Sequence, residues 1–322
     1  MTLAEFEVQF TQWLEENEPF FFLIDFEKEK PFICKLKEAH SADVLFYING
    51  VKNYEDKKVN TLPNLSFSPI DQEMYRQGFE AVKSHLIRGD TYLLNLTFPI
   101  EIEINVSLAD VFHLSDAPYK LFFKDQFVLF SPESFVQIEE RNIFTYPMKG
   151  TIDAKLNNAA QTLLSNQKEV WEHNTIVDLM RNDLAMIAKD IKVEKYRYIE
   201  RIKTFHSEIL QTSSKISGRL KKNYQKTLCK DFLSLLPAGS ISGAPKEKTL
   251  EIIRAHEITK RGYYTGIFGI WDGEKLDSAV NIRFIEKEND KIFFRSGGGI
   301  TTQSILEEEY HELHQKIYLP KK

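Results

Sequence analysis

FVLFSPESFVQIEERNIFTYPMKGT, residues 127–151, is the stretch whose reading decides the fold class. Within it Phe127 to Leu129, Phe135 to Glu139 and Ile143 to Tyr146 read as successive short strands, and Pro147-Met148-Lys149-Gly150-Thr151 follows at a strand end. Downstream, Gly262 to Phe294 reads as further strands, divided by turns at Asp272-Gly273 and Asn289-Asp290. Strands that come in runs, instead of alternating with helices, argue for antiparallel sheet and against a doubly wound parallel one. The expectation is a mixed α and β chain with much antiparallel sheet.

Outward from these runs helices and strands mix. Leu3, Phe6, Phe10 and Leu14 recur at helical spacing behind a capping Thr2, and Phe20 to Phe26 reads as a buried strand. Met74, Tyr75, Phe79, Val82 and Leu86 mark a helix over Gln72 to Arg88, stopped by Gly89-Asp90. Tyr92 to Thr97 and Ile100 to Val106 read as two strands, the second with one wet and one buried face. Ala159 to Ala188 is mostly helical, Ile191 to Glu194 and Thr212 to Leu220 are extended, and Lys246 to His256 is a helix behind Pro245. Gly297-Gly298-Gly299 closes the last run of strands, and Ile305 to Ile317 is a final helix. No stretch resembles a linker and no repeat period is visible, so one continuous domain over residues 1–322 is expected.

Composition narrows the function classes. The chain has 322 residues, 42% hydrophobic and 28% charged, with a net charge of -5, which is ordinary for a soluble protein and leaves no footprint for nucleic acid. Met1 to Asn17 carries Glu5, Glu7, Glu15 and Glu16 without a basic cluster, unlike a secretory signal, and Phe20 to Ile24 is too short to span a membrane. Cys34 and Cys229 are far apart and lack metal-type spacing, so a reduced cytoplasmic protein is expected.

Several polar clusters could carry chemistry. Lys149 offers an amine beside a glycine and a hydroxyl, but as a nucleophile near neutral pH its pKa must fall by about 3 units from about 10.4, a cost of about 4 kcal/mol. Taken alone, such a lysine is ordinarily a solvated charge. Glu169 and Glu172 share one helix face, as do Glu309 and Glu312 in the last helix; either pair alone is as readily exposed charge. Brought together, carboxylates at 4 Å repel by about 4 kcal/mol, so several in one place need a cation. Oxygen ligands favour Mg²⁺ over Zn²⁺, and magnesium usually also takes oxygens from an anionic substrate. Gly239-Ser240-Ile241-Ser242-Gly243-Ala244-Pro245-Lys246 offers a helix N-terminus to a carboxylate, without the order of a Walker loop. Gly297-Gly298-Gly299 can aim amides at an oxygen anion or simply make a tight turn. Arg283 interrupts a strand pattern, which suits bidentate carboxylate binding or a structural ion pair.

The segments PMKGT, EHNTIVDLMRND, PAGSISGAPKEKTLEII, YYTGIFGI, NIRF and SGGGI followed by EEEYHE resemble, in order and spacing, those of chorismate-utilising enzymes of the anthranilate synthase component I superfamily. The similarity runs from about Gly89 to Tyr318, with residues 1–88 as a shortened amino-terminal part. It implies an α+β fold in which large antiparallel sheets pack as a sandwich with helices outside. Aminodeoxychorismate synthases carry lysine in the PIKGT-type motif where anthranilate synthases typically have alanine, so Lys149 points to the aminodeoxychorismate synthase component I branch. Isochorismate and salicylate synthases place a general-base lysine where this chain has Leu93, so water activation by that route is not expected.

The resemblance further implies Mg²⁺-dependent amination of chorismate to 4-amino-4-deoxychorismate, a step toward p-aminobenzoate and folate, with ammonia released from glutamine by a separate amidotransferase subunit. Lys149 would attack C2 as the C4 hydroxyl leaves. Glu172 and Glu312 would be direct metal ligands and Glu309 a nearby or water-linked one. Arg283 and Tyr264 would hold the enolpyruvyl carboxylate, while Thr151, Ser242, Gly243 and the amides of Gly297, Gly298 and Gly299 surround the remaining polar groups. Lys246 resembles a family lysine near the metal carboxylates. Relatives often have histidine where Gln211 stands, and the motif that binds feedback tryptophan has no counterpart, so anthranilate formation and tryptophan control are disfavoured. His173 is expected to support the site or lie on the helix surface. Anthranilate synthase component I, and a non-catalytic subunit that only binds a glutaminase, remain the alternatives.

Overall fold

The computed structural model describes residues 1–203 and 208–319. Its strands form two antiparallel sheets of nine strands each. The first runs, in spatial order, Met148–Asp153, Glu208–Arg219, Asn142–Thr145, Ser134–Glu139, Lys275–Val280, Ile267–Trp271, Phe20–Ile24 and Phe32–Lys35, with Lys189–Lys203 also paired to Glu208–Arg219. The second runs Gly243–Ala244, Leu93–Ile104, Lys291–Ile300, Phe284–Glu288, Phe127–Ser131, Tyr119–Phe123, Val44–Ile48 and Val51–Lys52, with Leu65–Phe67 also on Leu93–Ile104.

The two sheets pack against each other through Phe21, Leu23, Phe46, Leu121 and Leu129, and the Phe21 and Phe46 rings stack with centroids 5.6 Å apart. Helices cover the outer faces. Leu3–Glu15, Gln167–Ile187 and Leu228–Ser234 cover the first sheet through Phe6, Phe10, Met180 and Phe232. Gln72–Arg88, Leu108–Leu114, Lys246–His256 and Leu306–Gln315 cover the second through Phe79, Val111, Ile252 and Leu313. The strand Phe20–Ile24 shows why its sequence lacks alternation: Phe20, Phe22 and Ile24 face the helices, whereas Phe21 and Leu23 face the other sheet. Each buried Phe or Leu side chain there contributes about 2 kcal/mol of transfer free energy. Among the described residues no helix is long and apolar enough to cross a membrane.

Local chemistry sets the element ends. Thr2 and Glu5 form a reciprocal capping box at the first helix, and Gly89 ends Gln72–Arg88 in the left-handed conformation at φ 79°. Three readings differ from the sequence expectation. Tyr92 to Val106 is one strand, Leu93–Ile104, and Pro99 sits inside it. Proline is tolerated because Lys291–Ile300 pairs along one side of the strand, while on the other only Leu93, Leu94 and Ile102 to Ile104 have partners, leaving Pro99 no donor to supply there. The PMKGT segment is not a strand end, since Met148–Asp153 is a strand in its own right, with an irregular register between Met148 and Thr151. Gly297-Gly298-Gly299 lies within the strand Lys291–Ile300 and pairs with Thr97, Leu96 and Asn95.

Candidate active site

One cavity of about 580 Å³ collects almost all the candidate residues. Its walls come from the strands Met148–Asp153 and Lys291–Ile300, the helices Gln167–Ile187 and Leu306–Gln315, and the segments 240–243 and 282–283. Lys149, Thr151, Glu172, Ser242, Gly243, Tyr264, Arg283, Gly297, Gly298, Gly299, Glu309 and Glu312 all line it.

Lys149 is delivered by the irregular register of its strand, where the Thr212 hydroxyl donates to the Lys149 carbonyl. Gly150 takes φ +84°, and a Cβ there would stand 2.5 Å from Glu169 Oε2, so only glycine lets this strand run so close beneath the acidic helix. The Lys149 Nζ lies 3.0 Å from Glu172 Oε2. Burial pulls this amine down, yet Glu172, Glu312 and Glu169 outweigh burial and hold it above its ordinary range. The chain therefore presents an ammonium ion; a nucleophilic amine requires something else to neutralise the carboxylates.

The four carboxylates come from two helices, Glu169 and Glu172 from one and Glu309 and Glu312 from the other. Among the described residues no three carboxylate, imidazole or thiolate groups converge as a metal cage. Instead two ammonium groups stand among them, Lys149 on Glu172 and Lys316 on Glu312, the latter at 2.7 Å. Lys316 also donates to the Gly297 carbonyl at 2.8 Å. An oxygen-only donor set on an open cavity suits Mg²⁺, which takes one or two carboxylates and completes its shell with water and substrate oxygens.

The same cavity also carries cationic and hydroxyl donors. Arg283 precedes the strand Phe284–Glu288 at φ 54°, a bend that interrupts the extended run just where the sequence pattern breaks. Its Nε is buried without a hydrogen-bond partner, Nη1 makes only a long 3.4 Å bond to the Lys316 carbonyl, and the guanidinium lies 5.1 Å over the Tyr318 ring. A structural ion pair is thus not what it makes; its donors await an acceptor. Burial pushes the Tyr264 phenol up to about 12, leaving a neutral hydroxyl at neutral pH. The glycine strand contributes differently from expectation: successive N–H groups of an extended strand point to opposite edges, so the three amides do not share one target.

The Gly239–Ser242 turn reaches the cavity, but the helix behind it does not. Gly243 adopts φ +131° with a Cβ position 1.9 Å from the Leu93 carbonyl oxygen, a contact that excludes every side chain. The Ser242 hydroxyl donates to the Ala238 carbonyl at 2.8 Å, so it serves the turn before any ligand. Lys246 departs from the set: it does not line the cavity, its Nζ lying 3.3 Å from Asp183 Oδ1 and donating to the Leu235 carbonyl at 2.7 Å. A buried carboxylate and carbonyl draw its ammonium away from the carboxylates of the cavity.

Several lining residues escaped the sequence reading, and two of them bear on the charge of the site. Glu133, at the end of the opening strand run, accepts from the Ser240 hydroxyl at 2.6 Å. Burial pushes its carboxyl above the ordinary range, against the opposing pull of Ser240, Lys149 and Arg283. Lys316 is the second; its spacing of four from Glu312 on a helix was a readable signal. His173 is buried, not on the helix surface, and shares a 2.7 Å hydrogen bond between Nε2 and Ser214 Oγ. Burial, then Arg197, lowers its pKa to about 4, so it is a neutral support under the site. Gln211 stands opposite Thr151 in the ladder, outside the cavity lining.

A family model described as chorismate binding enzyme matches residues 9–322, so the likeness begins well before Gly89. An uncharacterized PabA-like protein of Haemophilus influenzae is 54% identical over 319 residues, covering 99% of this chain and 97% of that one. Aminodeoxychorismate synthase component 1 of Bacillus subtilis is 30% identical over 268 residues, covering 78% of this chain and 55% of its own length. The crystal structure of anthranilate synthase component I from Streptococcus pneumoniae matches with a TM-score of 0.65 at 28% identity, covering 78% of this chain and 58% of that one.

Proposed function

Because the chain belongs to the chorismate-binding enzyme family, we propose that it aminates chorismate to 4-amino-4-deoxychorismate, with Mg²⁺ at the acidic helices and ammonia supplied from glutamine by a separate amidotransferase subunit. The observation that carries this reading is the Lys149 amine in one cavity with Glu172, Glu312 and the orphaned Arg283 donor. In the family resemblance, aminodeoxychorismate synthases carry lysine at this motif position where anthranilate synthases typically have alanine, and position 211 holds glutamine where pyruvate-expelling relatives often place histidine. Leu93 lines the cavity, so an apolar side chain occupies the place of a water-activating base.

The residues divide the work as follows. Arg283 and Tyr264 take the enolpyruvyl carboxylate, one by a forked cation and one by a neutral hydroxyl. When bound, Mg²⁺ supplies Lewis acidity and a template for the ring carboxylate beside Glu172 and Glu312. Lys149, released from Glu172 and having lost its proton to solvent, forms a bond from Nζ to C2; the ring electrons shift, the C4–O bond breaks, and hydroxide leaves as water with the proton of Glu133. Ammonia then bonds to C4 as the electrons return and the C2–Nζ bond breaks, restoring the amine, and the proton shed by the new ammonium group returns to Glu133. The sum is chorismate and ammonia giving aminodeoxychorismate and water. Glu133 suits the donor role because burial favours its protonated form.

The protein with chorismate, MgCl₂ and an ammonium salt, and no glutaminase, should accumulate aminodeoxychorismate, read by chromatography and mass spectrometry. Anthranilate or isochorismate as the only product refutes the assignment, and the absence of both turnover and Mg²⁺-dependent chorismate binding favours the scaffold alternative.

A further inference from the structure

We infer that Lys149 and Lys316 are built-in counterions of the metal-free site, exchanged for the divalent ion when substrate binds, so that metal entry is what frees the Lys149 amine. The inference rests on the proposed magnesium site and concerns this chain's own residues toward it. Each ammonium is bound to a carboxylate of a different helix: Lys149 to Glu172 at 3.0 Å, and Lys316 to Glu312 at 2.7 Å. Glu309 and Lys316 both flank Gly298, where a Cβ would stand 3.2 Å from Glu309 Oε2 and 3.8 Å from Lys316 Nζ. Four carboxylates thus hold two single positive charges in the region where one double charge is expected. The same arrangement accounts for the absence of a preformed cage among the described residues, because two ligand carboxylates are already engaged.

A divalent ion entering beside Glu172 and Glu312 competes directly with both lysines for the same oxygens and repels them once bound. Lys316 has somewhere to go, since it already donates to the Gly297 carbonyl at 2.8 Å, which can retain it. Lys149 has no such carbonyl partner among the described residues and would swing toward the substrate. The exchange therefore couples metal binding to release of the amine, and it penalises metal binding in the absence of an anionic substrate that brings its own oxygens and charge.

The test measures metal binding without turnover. Mn²⁺ is titrated into the protein at fixed pH and followed by electron paramagnetic resonance of the free ion, with and without chorismate, for the wild type, Lys149→Met, Lys316→Met and Glu172→Gln. Melting curves of each variant establish that it is folded. Removing either lysine deletes a partly exposed ion pair that the metal must otherwise break, so without chorismate each lysine variant should bind Mn²⁺ about twofold to fivefold more tightly than the wild type. Glu172→Gln should bind more weakly than wild type, and the gain from Lys149→Met should vanish in the Lys149→Met/Glu172→Gln double variant. Lysine variants that bind Mn²⁺ no tighter than wild type, while Glu172→Gln loses it, overturn the exchange and leave the metal site standing. Failure of every form to bind Mn²⁺, even with chorismate, overturns the metal site and the exchange together.

Discussion

Replacing Arg283 with methionine separates a ligand-binding arginine from a structural one, because the two roles change stability and activity in opposite senses. In the free protein Arg283 has a buried Nε without a partner and a single long bond of 3.4 Å from Nη1. An unsatisfied buried donor costs about 1–3 kcal/mol, so removing it should stabilise the chain by about 1 kcal/mol after allowing for lost contact with Tyr318. The left-handed backbone at φ 54° is neutral in the comparison, since arginine and methionine carry the same Cβ strain. For a chain of this size about 1 kcal/mol corresponds to a rise in Tm of about 2 °C. With chorismate the sign reverses: a forked, desolvated contact to a carboxylate is worth about 2–5 kcal/mol, so kcat/KM should fall by about 10²-fold or more. Differential scanning fluorimetry and initial-rate kinetics with ammonium as nitrogen donor measure both. A fall in Tm of more than about 4 °C with kcat/KM unchanged would refute the reasoning and return Arg283 to a structural role.

Other perturbations test the remaining assignments. Glu133→Gln should lower kcat by about 10²-fold or more. Burial raises the carboxyl in the folded chain, so wild-type activity should decline as pH rises through that raised value while the variant loses this limb; an unaltered pH profile removes Glu133 from proton transfer. Lys246→Ala should cost about 2 kcal/mol of stability, seen in urea unfolding, by stranding the recessed Asp183, yet leave the KM for chorismate within about twofold. Gly243→Ala should lower Tm by about 6 °C or more, since a Cβ would stand 1.9 Å from the Leu93 carbonyl and the φ of +131° is a glycine conformation costing about 3 kcal/mol in other residues; an unshifted Tm would show that the Leu93 to Ala244 pairing is not rigid.

What the sequence disclosed depended on whether a residue's role is local. Helix limits were legible because caps are made by neighbours: Gln72–Arg88 and Lys246–His256 fall where Asp71, Gly89 and Pro245 place them. The strand runs were legible from Phe127 onward because short apolar segments between turns leave few alternatives. The single strand Leu93–Ile104 was not legible, since whether Pro99 can sit inside it depends on which of its edges a distant partner leaves free. The sandwich itself followed only from the family likeness; periodicity shows that Phe20–Ile24 is buried on both faces without saying which side meets a helix and which a sheet.

The same distinction governs the site. The acidic pairs, the glycines and Arg283 were visible as residue types with few other uses, but what each does is set by charges brought from elsewhere in the chain. Lys149 looked like a nucleophile in want of a lowered pKa; the fold gives it Glu172, 23 residues away along the chain but 3.0 Å away in space, and reverses the shift. Lys246 was expected near the carboxylates of the cavity, and Asp183 holds it outside. Glu133 escaped notice because a lone glutamate between strands carries no spacing signal, and only the fold supplies the burial that raises its carboxyl against the pull of Ser240, Lys149 and Arg283. Two lysines of the same type therefore have opposite destinations for one physical reason: an ammonium goes to the carboxylate that the sheets bring nearest. The carboxylates on the two helices are consequently the primary determinants of this cavity, and the lysines are positioned by them.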